Sequence, residues 1–279
     1  MKKQISKIFS SDGELSKSIK GFKPRAEQLE MAQSVGYAIQ NKRPLVVEAG
    51  TGTGKTFAYL APALIAGKKT IISTGSKNLQ DQLFSRDLPA IKKALNYSGK
   101  IALLKGRSNY LCLERLDQVI AQGVLGDKSV LADLSKVRKW NNATKTGDLT
   151  ECIELAEDSP ILPQLTSTAE SCLGTDCPNY AECYVAQARK KALNADLVVV
   201  NHHLFFADMA VKESGFGELI PNAEVIIFDE AHQLPDIASQ YFGQSLTSRQ
   251  LFDLCKDINI VYRTELKDML QLGTTADTL

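Results

Sequence analysis

The sequence lacks any long apolar run. No stretch approaches the roughly 18 consecutive apolar residues that a membrane helix requires. The basic segment at residues 1–19 also lacks the apolar core, about 7–15 residues long, that a secretory signal contains. We therefore expect a soluble, cytoplasmic protein with no membrane partner.

An excess of charge of either sign is also absent, since 33 Lys and Arg residues stand against 32 Asp and Glu residues. A nucleic-acid partner could be held only by a local basic patch, because net charge governs association and not fold. The 279 residues suit one large domain or two ordinary ones, and their 44% hydrophobic content is typical of a globular protein.

Short β-branched runs alternate with helical patterns along most of the chain. The candidate strands are residues 45–49, 70–74, 100–104, 196–202 and 224–230. Their near-continuous Val and Ile content indicates a parallel sheet that is covered on both faces. The pattern therefore predicts an α/β layer fold with right-handed crossovers.

One region interrupts this alternation. Residues 146–176 contain seven acidic side chains and no Lys or Arg, together with Pro160 and Pro163 and little periodic hydrophobicity. We interpret 111–195 as an insertion that leaves one edge of the sheet and returns to it. By contrast, residues 88–111 carry five positive charges and no acid.

A glycine-rich segment, AGTGTGKT, fits the phosphate-binding pattern G-x-x-x-x-G-K-[ST], with Ala49 in place of the first glycine. It lies between a candidate strand and a candidate helix, where backbone N–H groups and a helix N-terminus can bind phosphate. Lys55 is expected to reach the β- and γ-phosphates of ATP, and the Thr56 hydroxyl to ligate Mg²⁺. The candidate nucleotide-binding residues of the segment are Ala49, Gly50, Thr51, Gly52, Thr53, Gly54, Lys55 and Thr56.

A second motif, VIIFDEAH at 225–232, delivers two carboxylates at the end of an apolar strand. Ligands of open α/β sheets bind at this end of the strands. Asp229 is expected to hold the Mg²⁺ shell, and Glu230 to orient or deprotonate the attacking water. The DEAH box itself is Asp229, Glu230, Ala231 and His232.

Four cysteines indicate a metal centre in the insertion: Cys112, Cys172, Cys177 and Cys183. In a reducing cytosol such a group more often means metal or redox chemistry than disulfides. Their spacing is only loosely compatible with structural zinc, whereas an iron–sulfur cluster also takes four thiolates and tolerates longer spacing. Buried apolar cysteines are the remaining alternative. Cys152 and Cys255 have no partners at ligand spacing.

Weaker features surround these motifs. Gln28 offers a donor and an acceptor that suit the edge of adenine, although an exposed helix-face glutamine is the ordinary interpretation. Hydroxyl residues after the second candidate strand, Thr74 among them, could bind a DNA phosphate or cap the next helix. The segment KGRSNY combines Lys105, Arg107 and Tyr110, as a groove for single-stranded nucleic acid does, or as an exposed charged loop does.

Together these motifs resemble the XPD-like superfamily 2 DNA helicases, and within them the bacterial DinG/YoaA branch. The matching segments run from GFKPRAEQ at 21–28, through VVEAGTGTGKT, LLKGRSNYLCLERL, DCPNYAEC and VVVNHHLF, to FDEAHQLPDIASQYFGQSL, and the range that they span is about four-fifths of the chain. The resemblance implies a RecA-like lobe, a [4Fe–4S] cluster on Cys112, Cys172, Cys177 and Cys183, single-stranded or forked DNA as the partner, and 5′→3′ unwinding driven by ATP.

The resemblance also implies roles for single residues and a division of the chain. Arg25 and Gln28 would form a Q-motif-like element, while Thr74, Lys105, Arg107 and Tyr110 would contact DNA. The first RecA-like lobe would comprise residues 1–110, with the Q-like element, Walker A and motif Ia, and residues 196–239 with the DEAH box. The iron–sulfur insertion would be 111–195, and 240–279 would begin a helical arch insertion.

The resemblance is incomplete at one end. Only 47 residues follow His232, too few for a second lobe of about 150 residues that would supply an arginine finger. We therefore expect a weakly active N-terminal portion of a helicase, with the second lobe possible on a separate chain. The alternative hypothesis is a non-motor module that binds nucleotide or DNA and docks a partner through the metal insertion.

Overall fold

The computed structural model describes residues 1–50, 52–122, 128–169, 171–213 and 218–243, and five isolated helical residues beyond them. The strands are β1 (Thr70–Thr74), β2 (Ile101–Leu103), β3 (Leu197–Asn201) and β4 (Val225–Phe228). The helices are α1 (Lys2–Ile8), α2 (Glu14–Ser18), α3 (Ala26–Asn41), α4 (Lys55–Ile65), α5 (Lys77–Gln82), α6 (Leu88–Ala94), α7 (Leu113–Gln122), α8 (Lys128–Asn141), α9 (Leu162–Leu165), α10 (Tyr184–Leu193), α11 (His202–Glu213) and α12 (Leu234–Phe242).

The strands form a parallel sheet in the order β2–β3–β1–β4. In its register Thr74 pairs with Asn201, and Ser73 pairs with Phe228. The carboxyl ends of β1, β3 and β4 therefore lie side by side at one edge, where open α/β sheets bind their ligands. The predicted α/β fold with a parallel sheet is confirmed, and it is consistent with a RecA-like helicase lobe.

Both faces of the sheet are covered. Ile72 and Val199 belong to one hydrophobic cluster with helices of the N-terminal third, while Ile71, Val198 and Val200 belong to a second cluster on the other face. Successive strand residues point to opposite faces, so a strand buried on both sides must be apolar at every position. This burial explains the continuous Val and Ile runs in the sequence.

The predicted strand at 45–49 is wrong. These residues pair with no strand of the described chain, and Val46 is 96% exposed. β-branched composition favours a strand only where a neighbouring strand and a packing surface exist.

The region 111–195 has a hydrophobic cluster of its own. Leu111, Val137, Ile161 and Leu165 are among its buried members. A bridge between Tyr110 and Asp148 ties its entry to its middle. This separate core is compatible with the predicted insertion, whose boundaries stay a prediction.

The chain divides into two compact units, residues 1–233 and residues 234–279. The second unit contains α12 among its described residues. The predicted arch insertion at 240–279 lies almost wholly outside the described residues. None of the described helices is both long and apolar enough to cross a bilayer.

Candidate functional site

The glycine-rich segment leads directly into the N-terminus of α4. Lys55 and Thr56 open the helix, and Gly54 is its N-cap residue. Gly52 and Gly54 have φ angles of 77° and 84°, in the left-handed region that favours glycine. A Cβ at Gly54 would also lie 2.1 Å from Nε2 of Gln28. The two glycines therefore allow the tight turn that brings Lys55 to the start of the helix, while Thr51 lies outside the described residues.

Two side chains donate hydrogen bonds to this loop: Arg25, which directly precedes α3, and Gln28, which lies within α3. Gln28 is 4% exposed, and its Nε2 donates to the carbonyl oxygen of Gly54 at 2.9 Å. The guanidinium of Arg25 donates to the carbonyl oxygen of Gly52. Thr53 closes the loop by donating from Oγ1 to the carbonyl oxygen of Gly50 at 2.9 Å. Both members of the expected Q-motif-like element thus contact the loop itself, and their contact with adenine stays a prediction.

The DEAH carboxylates stand opposite the loop. β4 ends at Phe228, and the N–H of Asp229 still donates to the carbonyl oxygen of Ser73 at 2.8 Å. The chain then turns at Glu230, which has a left-handed φ of 58°. This turn brings Oε1 of Glu230 to 3.7 Å from Nζ of Lys55. The two strongest motifs of the sequence therefore meet in one site.

Glu230 has a second neighbour, His232, in the DEAH box. Nδ1 of His232 lies 3.5 Å from Oε2 of Glu230, although its own side chain is 70% exposed. Ala231 and His232 lie in a 3₁₀ turn that ends at Gln233. This turn packs over the end of β1, where a Cβ at Gly75 would lie 2.5 Å from Oε1 of Gln233.

Tyr59 is a site residue that sequence reasoning missed. Its hydroxyl donates to Oδ2 of Asp229 at 3.0 Å, and the side chain of Thr56 contacts the same hydroxyl. Burial, and then the Asp229 charge, raise the pKa of Tyr59 well above its ordinary value. Its position was a usable signal, because Tyr59 follows Lys55 by one helical turn and so shares its face of α4.

Asp229 is desolvated. Burial raises the pKa of its carboxyl group, against the opposing effects of the Tyr59 hydrogen bond and of Lys55. A buried carboxylate is stabilised by an opposite charge. The site therefore presents a position where a cation would find favourable interactions.

His202 joins three strands beneath the site. Its side chain is fully buried, with Nδ1 at 2.7 Å from Oγ of Ser73 and Nε2 at 2.9 Å from the carbonyl oxygen of Asp229. Burial lowers the pKa of His202, so the ring is neutral near pH 7. A carbonyl oxygen only accepts, so Nε2 carries the proton and Nδ1 accepts from Ser73. The hydrogen bond from the His202 ring thus holds the backbone of Asp229 in place.

Three of the residues expected to contact DNA are buried. Thr74 is 1%, Lys105 2% and Tyr110 4% exposed. The prediction that these side chains form a DNA-contacting surface is therefore corrected. Arg107 is half-buried, and its guanidinium donates to the carbonyl oxygen of Thr168 at 3.3 Å.

Lys105, just after β2, instead forms ion pairs with α5 and with the region 111–195. Its ammonium lies 2.7 Å from Oδ1 of Asp81 and 2.7 Å from Oδ2 of Asp148. It also donates to Oγ1 of Thr150 at 3.1 Å. A buried ammonium is tolerated only when it is paired and hydrogen-bonded, and these contacts provide both conditions.

The four candidate ligand cysteines differ in exposure. Cys172 is exposed, and Cys112, Cys177 and Cys183 are half-buried. Burial raises the pKa of Cys112, and the charges of Cys177 and Cys183 raise it further. Arg189, whose pKa is lowered by burial, interacts with Cys172 and Cys183. Cys112 is thus influenced by Cys177 and Cys183, whereas Cys172 is linked to this group only through Arg189.

The four cysteines do not form a metal-binding cluster in the part of the chain that the structure describes. Among the described residues, no three His, Cys, Asp or Glu side chains are grouped so that they could hold a metal ion. The chemistry of the donors suits an iron–sulfur cluster, which takes four thiolates, while their arrangement does not show one. Cys152 and Cys255 are both buried.

Comparison with known proteins places the chain in a family. The family model of DEAD/DEAH box helicases matches residues 29–152. The ATP-dependent DNA helicase YoaA of Haemophilus influenzae is 90% identical over 276 residues, which are 99% of this chain and 43% of that protein. YoaA of Escherichia coli is 66% identical over 271 residues, 97% of this chain and 43% of that protein.

A more distant relative is also similar to this chain along most of its length. The ATP-dependent helicase DinG of Mycobacterium tuberculosis is 36% identical over 272 residues, 90% of this chain and 40% of that protein. The chain thus spans less than half the length of each of these relatives. Because the phosphate loop faces the DEAH carboxylates, and because these identities run along nearly the whole sequence, the chain contains a DEAD/DEAH-box helicase domain that fits the DinG/YoaA branch.

Proposed function

We propose that residues 1–233 form an ATP·Mg²⁺-binding motor lobe of an ATP-dependent DNA helicase. The observation that carries this proposal is the 3.7 Å approach between Nζ of Lys55 and Oε1 of Glu230. It brings the phosphate-binding loop and the DEAH carboxylates to one site, as the hydrolysis of a nucleoside triphosphate requires.

Each residue has a defined task in this proposal. The loop N–H groups and the N-terminus of α4 bind the phosphates, and Lys55 exchanges its contact with Glu230 for the β- and γ-phosphate oxygens. Thr56 and Asp229 would hold Mg²⁺, which neutralises charge that develops on the phosphates. Glu230, released from Lys55, orients the attacking water.

The DNA substrate and the 5′→3′ direction of unwinding are further parts of the proposal. The names of the two YoaA relatives describe ATP-dependent DNA helicases, and they support DNA as the partner of this chain. The direction rests on the resemblance to the XPD-like helicases. Arg107 stays the one candidate DNA contact of the original four that is not buried.

We include a [4Fe–4S] cluster on Cys112, Cys172, Cys177 and Cys183 in the proposal. It is supported by the ligand number and by the electrostatic coupling among these thiols. When bound, the cluster would crosslink segments that are distant in sequence. Cys177 and Cys183 directly follow the 3₁₀ turns Gly174–Asp176 and Tyr180–Glu182, Cys112 directly precedes α7, and Cys172 lies two residues before the first of these turns.

The proposal is tested by equilibrium binding of a fluorescent ATP analogue with Mg²⁺. Lys55→Ala is expected to weaken binding at least about tenfold, since it removes a charge-assisted contact worth about 1.5–3 kcal/mol. Lys93→Ala, at an exposed position of α6, is the matched control and is expected to bind like the parent. Equal binding by both variants would contradict the nucleotide site and favour the non-motor module.

A further inference from the structure

A groove runs along the outer edge of the sheet, beside β2. Its volume is about 1430 Å³, and residues 100–103 form its floor. β2 is the last strand of the sheet on this side. One wall contains Phe84, which packs with the cluster on one face of the sheet, and another contains Ala188 from the other face. The groove therefore wraps around the free edge of β2.

The free edge offers backbone hydrogen-bonding groups. Lys100 and Leu104 face β3, because Lys100 accepts from the N–H of Leu197 at 3.2 Å and the N–H of Leu104 donates to Val199 at 2.9 Å. Backbone groups alternate in direction along a strand, so the N–H and C=O groups of Ile101 and Leu103 point into the groove. Within the described residues, no strand pairs with this edge.

The walls of the groove are apolar, and the isoleucine side chain of residue Ile153 on its lining is exposed to solvent. Leu149, Leu155 and Leu162 line the groove together with Ile101 and Leu103. Ile153, also on its lining, is 94% exposed. Ile153 thus makes the exposed part of this lining contiguous with its apolar walls, and it is the contiguous apolar surface that marks an interaction site.

The rim of the groove is basic. Exposed lysines from four separate segments line it: Lys77, Lys100, Lys145, Lys190 and Lys191. Four carboxylates also line the groove: Asp81 and Asp148, which share the single charge of Lys105, and Glu151 and Glu157. The five exposed lysines together with Lys105 outnumber these four carboxylates by two, so the net charge around the groove is positive.

We propose that this groove binds an extended acidic peptide of a partner protein, which adds to the sheet as a strand beside β2. Strand addition uses backbone hydrogen bonds for affinity and alternate side chains for specificity. The paired donors and acceptors of Ile101 and Leu103 match a peptide backbone, the leucines accept its apolar side chains, and the lysines attract its acidic ones.

Two other occupants fit less well. A single DNA strand offers phosphate acceptors but no backbone donors for the two outward C=O groups, and stacking of its bases needs exposed aromatic rings. Three aromatic residues line the groove: Tyr110 is buried, and Phe84 and Tyr184 are half-buried and pack against the hydrophobic clusters, so none is a fully exposed ring. A second copy of the chain would bring the same lysines against these lysines, which is repulsive.

The test uses a fluorescein-labelled decapeptide in which valine alternates with glutamate, and anisotropy as the readout. Two further peptides carry N-methyl groups at all odd or at all even positions. Strand pairing uses only alternate residues, so one methylated peptide is expected to bind at least about tenfold more weakly while the other is nearly unchanged. Amide hydrogen exchange at Ile101 and Leu103 is expected to slow when the parent peptide binds.

Charge variants complete the test. Lys190→Glu with Lys191→Glu is expected to weaken the binding about tenfold or more, by replacing attraction with repulsion. Lys2→Glu with Lys3→Glu, an equal charge change on exposed residues of α1, is the matched control. Lys55→Ala is expected to leave peptide binding unchanged, so this proposal and the proposed nucleotide site can fail separately.

Three results would overturn the proposal. The first is equal loss, or no loss, with the two methylated peptides, because strand pairing requires a difference between them. The second is stronger binding of a ten-nucleotide oligothymidylate that displaces the peptide from the groove. The third is self-association of the chain that the Lys190→Glu/Lys191→Glu variant abolishes, seen by sedimentation velocity.

Discussion

The Tyr59 hydroxyl and the Asp229 carboxylate lie 170 positions apart in the chain and meet through a hydrogen bond of 3.0 Å. Tyr59 lies one turn into the helix that follows the phosphate loop, and Asp229 directly follows β4 and begins the DEAH box. The bond thus joins the two halves of the proposed nucleotide site. It also lowers the pKa of Asp229, against the larger effect of burial, which raises it.

Tyr59→Phe tests this link. Loss of the hydroxyl removes a hydrogen bond worth about 1 kcal/mol, and it removes one of the interactions that favour the ionised form of Asp229. We expect the Mg²⁺ concentration for half-maximal nucleotide binding to rise about fivefold near pH 7. Tyr37→Phe, at a residue that is 57% exposed on α3, is expected to change nothing. If the Mg²⁺ dependence of nucleotide binding is the same in Tyr59→Phe as in the parent, this hydrogen bond does not influence the metal site.

Gly54→Ala tests the shape of the loop. The added Cβ would lie 2.1 Å from Nε2 of Gln28, on a residue with a φ of 84°. We expect nucleotide binding to fall by at least about tenfold, since a left-handed alanine alone costs about 1–2 kcal/mol. Gly50→Ala is the matched control, because its Cβ would meet nothing within 4 Å and its φ is not left-handed.

The same pair of variants gives a second readout. Addition of Gln28→Ala to Gly54→Ala removes the clash but keeps the backbone strain, so we expect a partial recovery of binding. Full recovery would show that the left-handed backbone is not required. Equal losses from Gly50→Ala and Gly54→Ala would contradict the described loop.

His202→Ala tests the support beneath Asp229. It leaves the hydroxyl of Ser73 and the carbonyl oxygen of Asp229 without their buried partner, and each such group costs about 1–3 kcal/mol. We expect the free energy of unfolding in urea to fall by about 2–4 kcal/mol. In a double-mutant cycle with Ser73→Ala, the two losses are expected to be less than additive by at least about 0.5 kcal/mol. Strict additivity would mean that the two side chains do not interact.

Iron analysis tests the cysteine group. The purified chain is expected to contain about four iron and four sulfide per molecule, and Cys112→Ser is expected to lose most of both. Cys152→Ser is the control, because Cys152 packs in the hydrophobic cluster of the same region. Stoichiometric zinc without iron would contradict the cluster, and so would equal iron in the two variants.

Local sequence patterns were sufficient for much of the fold and for the centre of the site. The runs that became β1 to β4, the glycine-rich loop and the DEAH box are contiguous segments whose neighbours along the chain determine their structure. The segment at 45–49 has the same composition as a strand and is exposed. Composition does not show whether a pairing edge is available.

Long-range partners could not be predicted in this way. The segment KGRSNY has the residues of a nucleic-acid groove, yet Asp81 and Asp148 enclose Lys105, and the Tyr110 hydroxyl accepts from the N–H of Lys105 at 3.1 Å. Asp81 lies in α5 and Asp148 lies in the region 111–195, so neither is a close neighbour of Lys105 in the sequence. The roles of Tyr59 and His202 could not be predicted for the same reason, because they depend on Asp229, which is distant in sequence.

The central claim is that Asp229 and the phosphate loop belong to one ATP·Mg²⁺ site, and a Mg²⁺ titration of nucleotide binding tests it most directly. With Asp229→Asn, we expect the metal-free affinity for the ATP analogue to stay within about twofold of the parent, while the increase in affinity that Mg²⁺ gives the parent is lost. If Asp229→Asn instead shows the full increase with Mg²⁺, the DEAH carboxylate does not serve this loop and the account is contradicted.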